Sequence, residues 1–178
     1  MTLRCDPTSS DWPAASALLC RVKLIALDVD GVLTDGTFLW GPDGAELKRF
    51  SFLDIMGLSI ARRAGLRLAL VSGESGELID RLATRMTITD VFKGCKDKAA
   101  AANELIQRHN LAPGERCFMG DDINDVPAMK AMGLGIAPPG AHVSALEAAT
   151  LLTTRGGGNG AVRELIDAVL LAGKQHRG

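Results

Sequence analysis

The run at 22–29, VKLIALDV, is apolar at every position but Lys23 and Asp28, and it stops against a second carboxylate, Asp30, and then Gly31. An apolar run without alternation suits a strand buried on both faces, which is how strands of a parallel sheet sit. Asp28 and Asp30 are two positions apart, so in extended backbone their side chains project together. Carboxylates closing a buried strand are costly unless something answers their charge. A chain built this way is expected to form an α/β fold with an acidic site at the mouth of its sheet.

The rest of the chain keeps the rhythm. Further short apolar runs stand at 66–71, 90–92, 116–119, 134–137 and 151–153, and helical patterns fill 55–64, 75–85, 96–109, 125–132, 142–149 and 160–172. Strand and helix in alternation predict βαβ units, hence a doubly wound parallel sheet with helices on both faces. Met129 and Met132, spaced i and i+3, are expected in the core. One stretch breaks the pattern: 36–50 reads as strand, turn, strand, with the turn at Gly41-Pro42-Asp43-Gly44, and is expected to be an inserted β-hairpin. Residues 1–20 read as a loosely held lead-in with a short helix at 14–20, followed by a single domain over 21–178.

Composition narrows the function classes. With 47% hydrophobic and 23% charged residues the chain is neither disordered nor fibrous. Lys and Arg number 20 against 21 Asp and Glu, with no basic run, which argues against a nucleic-acid partner. Aromatic residues make up 4% and there is no Tyr, which argues against a base-stacking platform. No segment approaches the ~20 apolar residues of a membrane helix. The opening MTLRCDPTSSDWP lacks the apolar run of a signal peptide. The four cysteines, Cys5, Cys20, Cys95 and Cys117, form no metal-ligand spacing and read as free thiols of a reducing, cytoplasmic compartment.

In a doubly wound sheet the site lies at the carboxyl ends of the strands. After the first main strand stand Asp28 and Asp30. After the second comes Ser72-Gly73-Glu74, a hydroxyl followed by a backbone N–H that an anion can approach closely. Lys98 opens the helix at 96–109. After the strand at 116–119 comes Gly120-Asp121-Asp122-Ile123-Asn124-Asp125, with Asp125 also placed to cap the next helix. Together these residues describe phosphoryl transfer. Clustered carboxylates take a hard cation, most naturally Mg²⁺. One carboxylate can attack phosphorus while another, two residues on, moves the proton. Ser72 and the Gly73 N–H are expected to hold the phosphate, and Lys98 to supply a positive charge.

These four segments, in this order, resemble the motifs of the haloacid dehalogenase (HAD) superfamily. The resemblance implies a nucleophile at Asp28, an acid/base at Asp30 and phosphate binding by Ser72 and Lys98. It implies Mg²⁺ ligation by Asp28, the Asp30 backbone carbonyl and Asp121, with Asp122 and Asp125 as supporting carboxylates. Asp at position 30 marks the phosphatases and phosphotransferases of that superfamily. Neither the gap from Asp28 to Ser72 nor that from Ser72 to Lys98 has room for a separate cap, so the chain resembles the capless members. Phe38, Leu39 and Trp40 near the hairpin turn are then expected to meet hairpins of other subunits and roof a neighbouring site.

Asp28–Gly36 (DVDGVLTDG), 44–50 (GAELKRF) and 157–164 (GGNGAVRE) are similar to the 3-deoxy-D-manno-octulosonate 8-phosphate phosphatase group. That resemblance implies a homotetramer, a phosphorylated sugar acid as substrate and a part in lipopolysaccharide synthesis. It also puts the Gly-rich segment, with Arg155, Gly156–Gly158 and Arg163, near substrate or a neighbour. Two departures bear on the substrate. Glu74 stands where the group has Arg, as in the related nonulosonate 9-phosphate phosphatases, and Leu53-Asp54-Ile55 replaces an Arg-Asp-Gly segment. A nonulosonate 9-phosphate or another sugar phosphate is the alternative substrate. A non-catalytic scaffold and a phospho-acceptor receiver domain are the alternatives of another class.

Overall fold

The computed structural model describes residues 2–176, so the last two residues of the expected domain lie outside it. The central strand is β2 (Leu24–Leu27), buried at every position. It pairs in parallel with β5 (Arg67–Val71) on one side and β7 (Arg116–Met119) on the other. Outside β5 lies β6 (Asp90–Phe92). Outside β7 lie β8 (Gly135–Ala137), β9 (Leu151–Leu152) and β1 (Leu3–Arg4). All seven strands are parallel. After the edge strand β1, the chain fills the half from β2 to β6 and then the half from β7 to β9, so it reverses direction across the sheet beside β2, where α/β sheets of this kind carry their ligands.

Alternation along β2 divides the core into two layers. Ile25 and Leu27 face α1 (Trp12–Leu19), α2 (Phe52–Arg63), α3 (Glu77–Met86) and α7 (Ala161–Gln175). Leu24 and Ala26 face α4 (Lys98–His109), α5 (Val126–Met132) and α6 (Val143–Ala148). A strand with helices on both faces has no polar side to show. Met129 and Met132 lie in the second layer, as expected.

The expected strands and helices all form, with ends shifted by at most three residues and β6 and β7 as expected at both ends. Part of the stretch expected to be a loosely held lead-in has regular structure. Leu3–Arg4 makes the outermost strand, and the helix runs over Trp12–Leu19 rather than 14–20. The hairpin forms as β3 (Leu39–Trp40) and β4 (Glu46–Leu47), antiparallel, around the expected turn. Its strands are only two residues long, and Leu39, Trp40 and Leu47 are 69%, 73% and 60% exposed. Between β2 and β5 lie only this hairpin and α2, and between β5 and α4 only α3 and β6. No separate cap is present among the described residues.

Candidate active site

Asp28 is the first residue beyond β2, and its N–H still donates to the Met119 carbonyl at 2.9 Å, so the sheet itself holds it in register. Its side chain is buried, 2.8 Å from Nζ of Lys98. Asp97 caps α4 by accepting from the Ala100 N–H at 3.0 Å, which sets Lys98 in the first turn. The same ammonium lies 2.6 Å from Asp125, whose side chain is wholly buried. The other oxygen of Asp125 accepts the Asp121 and Asp122 N–H groups at 3.0 and 3.1 Å. Asp125 therefore does not cap α5, as its position suggested; it fastens the β7 loop to Lys98. Among the described residues, Asp28, Asp121 and Asp125 bring one oxygen each within 4.8 Å of one another.

The electrostatics follow from burial. Loss of solvent, then the nearby charge of Asp125, pushes the Asp28 carboxyl well above the ordinary range. Asp121 is pushed up to about 6 by burial first, then by Asp125 and Asp122. Burial acts to lower Lys98, but Asp28 and Asp125 outweigh it and hold the ammonium above its ordinary value. Oδ2 of Asp30 and Oδ1 of Asp121 are buried without a hydrogen-bond partner. Three carboxylates with one local cation, and buried oxygens left unanswered, suit a hard divalent cation with oxygen ligands.

The other expected residues divide. Asp28, Asp30, Gly73, Glu74, Lys98, Asp121 and Asp122 line one cavity of about 220 Å³ at the strand ends. Ser72 is buried behind them, its Oγ accepting from the Glu74 N–H at 3.1 Å. The Asp30 carboxylate stands apart from the three-carboxylate cluster and meets Lys48. Asp122 turns to its own backbone, accepting from the Ile123 N–H at 2.7 Å. Arg155 and Arg163 do not reach this cavity; they line another, of about 460 Å³, with Leu53 and Thr154. The Arg163 guanidinium is paired with Asp167 at 2.8 Å.

Sequence reasoning did not foresee the contacts by which several residues shape the site. Gly31 has φ +86°, and a Cβ there would lie 1.8 Å from Asp121 Oδ2, so only glycine lets the two acidic loops close on each other. Gly157 sits as tightly on the far side: a Cβ there would lie 1.8 Å from the Gly31 carbonyl. The Gly158 N–H donates to the Val32 carbonyl at 3.0 Å. The Gly-rich segment thus braces the loop that carries Asp30. Buried Asp54 holds that segment in turn, accepting from the Gly160 and Arg163 N–H groups at 2.9 Å each. Lys48, from the hairpin, is 2.8 Å from Asp30. The two segments had been noted for their resemblance, but nothing local in them tells which loop they touch.

The chain belongs to the haloacid dehalogenase-like hydrolases, whose family model matches residues 68–165. It is 35% identical over 166 residues to the 3-deoxy-D-manno-octulosonate 8-phosphate phosphatase KdsC of Escherichia coli strain K12, covering 93% of this chain and 87% of that protein. Among solved structures it is similar to the 3-deoxy-D-manno-octulosonate 8-phosphate phosphatase of Moraxella catarrhalis in complex with magnesium, phosphate and KDO. That match has 32% identity and a TM-score of 0.87, over 92% of this chain and 94% of the other. The cobalt-bound deoxy-D-mannose-octulosonate 8-phosphate phosphatase of Haemophilus influenzae matches with 30% identity and a TM-score of 0.84, over 88% and 92% of the two chains.

Proposed function

We propose that this chain is a magnesium-dependent phosphomonoesterase for a small phosphorylated sugar acid, 3-deoxy-D-manno-octulosonate 8-phosphate foremost, working through an aspartyl phosphate. The observation that carries this reading is a buried Asp28 at the end of the central strand, 2.8 Å from a buried Lys98 and grouped with Asp121 and Asp125. The relatives named as phosphatases of that sugar acid, and the one holding magnesium, phosphate and KDO, support it.

Asp28, Asp121 and the Asp30 backbone carbonyl would hold Mg²⁺, with Asp122 and Asp125 in support. When bound, the cation neutralises phosphate oxygens and the charge that builds at phosphorus. A carboxylate oxygen of Asp28 bonds to phosphorus while the ester bond breaks. The electron pair stays with the sugar oxygen, which takes a proton from Asp30. Water then bonds to phosphorus and gives a proton to Asp30, the Asp28 oxygen leaves, and inorganic phosphate is released. Lys98 keeps Asp28 aligned and offsets its charge, and Ser72 with the Gly73 N–H holds the transferred group.

The exposed Leu39, Trp40 and Leu47 support a homotetramer joined through the 36–50 hairpin, because so short a hairpin is marginal alone. Among the described residues no helix is long and apolar enough to cross a membrane. All four cysteines are free, which supports a cytoplasmic setting. Glu74 on the cavity wall, where this chain resembles the nonulosonate 9-phosphate phosphatases, supports a second reading, a nonulosonate 9-phosphate. Phosphate release from both sugar acids, with Mg²⁺ and with chelator, tests the proposal. The expected result is Mg²⁺-dependent turnover with preference for the octulosonate. Preference for the nonulosonate would move the substrate, and no Mg²⁺-dependent turnover of either would sink the reading.

A further inference from the structure

The hairpin meets the catalytic loop by two ion pairs. Arg49 is 2.8 Å from Asp35. Lys48 is 2.8 Å from Oδ1 of Asp30, and its side chain is only 6% exposed. The hairpin fixes that ammonium closely: Glu46, two residues back, lies 3.5 Å away, and the Phe38 ring centroid 6.0 Å away. Lys98, the cation that lines the cavity, is occupied with Asp28 and Asp125. The two oxygens of Asp30 are therefore unlike. Oδ1 faces a cation that offers only donors, whereas Oδ2 is buried with no partner.

We infer that Lys48 is the positioning residue for Asp30: by holding Oδ1 it turns Oδ2 into the oxygen that carries the transferred proton, and so couples the seating of the hairpin to proton transfer. This rests on the reading of Asp30 as acid/base given above. In the first step the Asp28 oxygen bonds to phosphorus, the ester bond breaks, and the departing oxygen takes the proton from Oδ2. Without Lys48 the carboxylate rotates freely about its side-chain bonds, and a misplaced proton donor loses rate steeply. The role differs from that of Lys98 because Lys48 touches neither the nucleophile nor the three-carboxylate cluster.

The test compares leaving groups, since a nitrophenolate departs without needing a proton and a sugar alkoxide does not. kcat/KM is measured for 3-deoxy-D-manno-octulosonate 8-phosphate and for p-nitrophenyl phosphate in wild type, Lys48→Met, Lys48→Arg and Asp30→Asn. Lys48→Met is expected to lower kcat/KM for the sugar phosphate on the order of 100-fold and for the nitrophenyl ester far less, with kcat rather than KM carrying the loss. Lys48→Arg, which keeps a donor-only cation, recovers most of the ratio. Because each variant is judged by the ratio between two substrates, partial unfolding cancels. Equal losses on both substrates in Lys48→Met, beside a leaving-group-dependent loss in Asp30→Asn, would overturn the positioning role and leave Asp30 as acid/base. If Asp30→Asn itself shows no leaving-group dependence, the reading of Asp30 fails and the proposal with it.

Discussion

Replacing Lys98 with methionine tests the electrostatics of the site most directly. Methionine keeps the volume and removes the charge that lies 2.8 Å from Asp28 and 2.6 Å from Asp125. Two carboxylates then remain buried together with no cation, and the least costly escape is for one to take a proton. Asp28 and Asp121, which burial already holds above the ordinary 3.8, are pushed higher still by the loss, and the cost is about 4 kcal/mol, within the ~3–5 kcal/mol seen when one partner of a buried ion pair is lost. For a chain of this length it corresponds to a fall in Tm of roughly 8–16 °C. The sign of the pH dependence follows. A carboxyl whose folded pKa is raised costs most at high pH and least once the pH approaches its unfolded value. The gap between variant and wild type should therefore narrow from pH 7.5 to pH 5. Thermal unfolding in chelator, which keeps a divalent cation from substituting for the lost ammonium, is the measurement. A Tm within about 2 °C of wild type at pH 7.5, or a gap that does not narrow at pH 5, would refute the reasoning.

Asp28→Asn should abolish phosphate release, while metal-free Tm stays equal or rises, because burial and Asp125 already disfavour the ionised Asp28; release near the wild-type rate would remove Asp28 as nucleophile. Gly157→Ala sets a methyl 1.8 Å from the Gly31 carbonyl, so it should cost about 1–3 kcal/mol in denaturant unfolding and lower kcat by displacing the Asp30 loop. An alanine variant with both wild-type stability and wild-type kcat would show that the Gly-rich segment does not brace that loop. Trp40→Glu puts a charge on a residue that is 73% exposed in the isolated chain, so it should reduce the mass found by light scattering without lowering the helix content. An unchanged mass would count against assembly through the hairpin.

What could be read from the chain was what local geometry dictates. The apolar run before Asp28 suits a strand covered on both faces, and β2 is one. The spacing of Asp28 and Asp30 puts both at its end. Gly41-Pro42-Asp43-Gly44 makes a turn wherever it is placed, and the hairpin closes there. The edge strand Leu3–Arg4 was missed because two residues show no period; its pairing to β9 depends on a partner near the other end of the chain.

The division of labour among the carboxylates belonged to tertiary structure. Asp121, Asp122 and Asp125 look equivalent as a string. The fold gives Asp125 to Lys98, leaves an Asp121 oxygen unanswered and spends Asp122 on its own backbone. Asp54 meets Gly160 across 106 positions, and Gly157 meets Gly31, 126 positions back along the chain. Residue types and their spacing determined the class of chemistry, since a strand end, a turn and a cluster of acids are local facts. Which oxygen is held, which is free and which backbone braces the loop depend on chain segments far apart in sequence, and only packing brings those together.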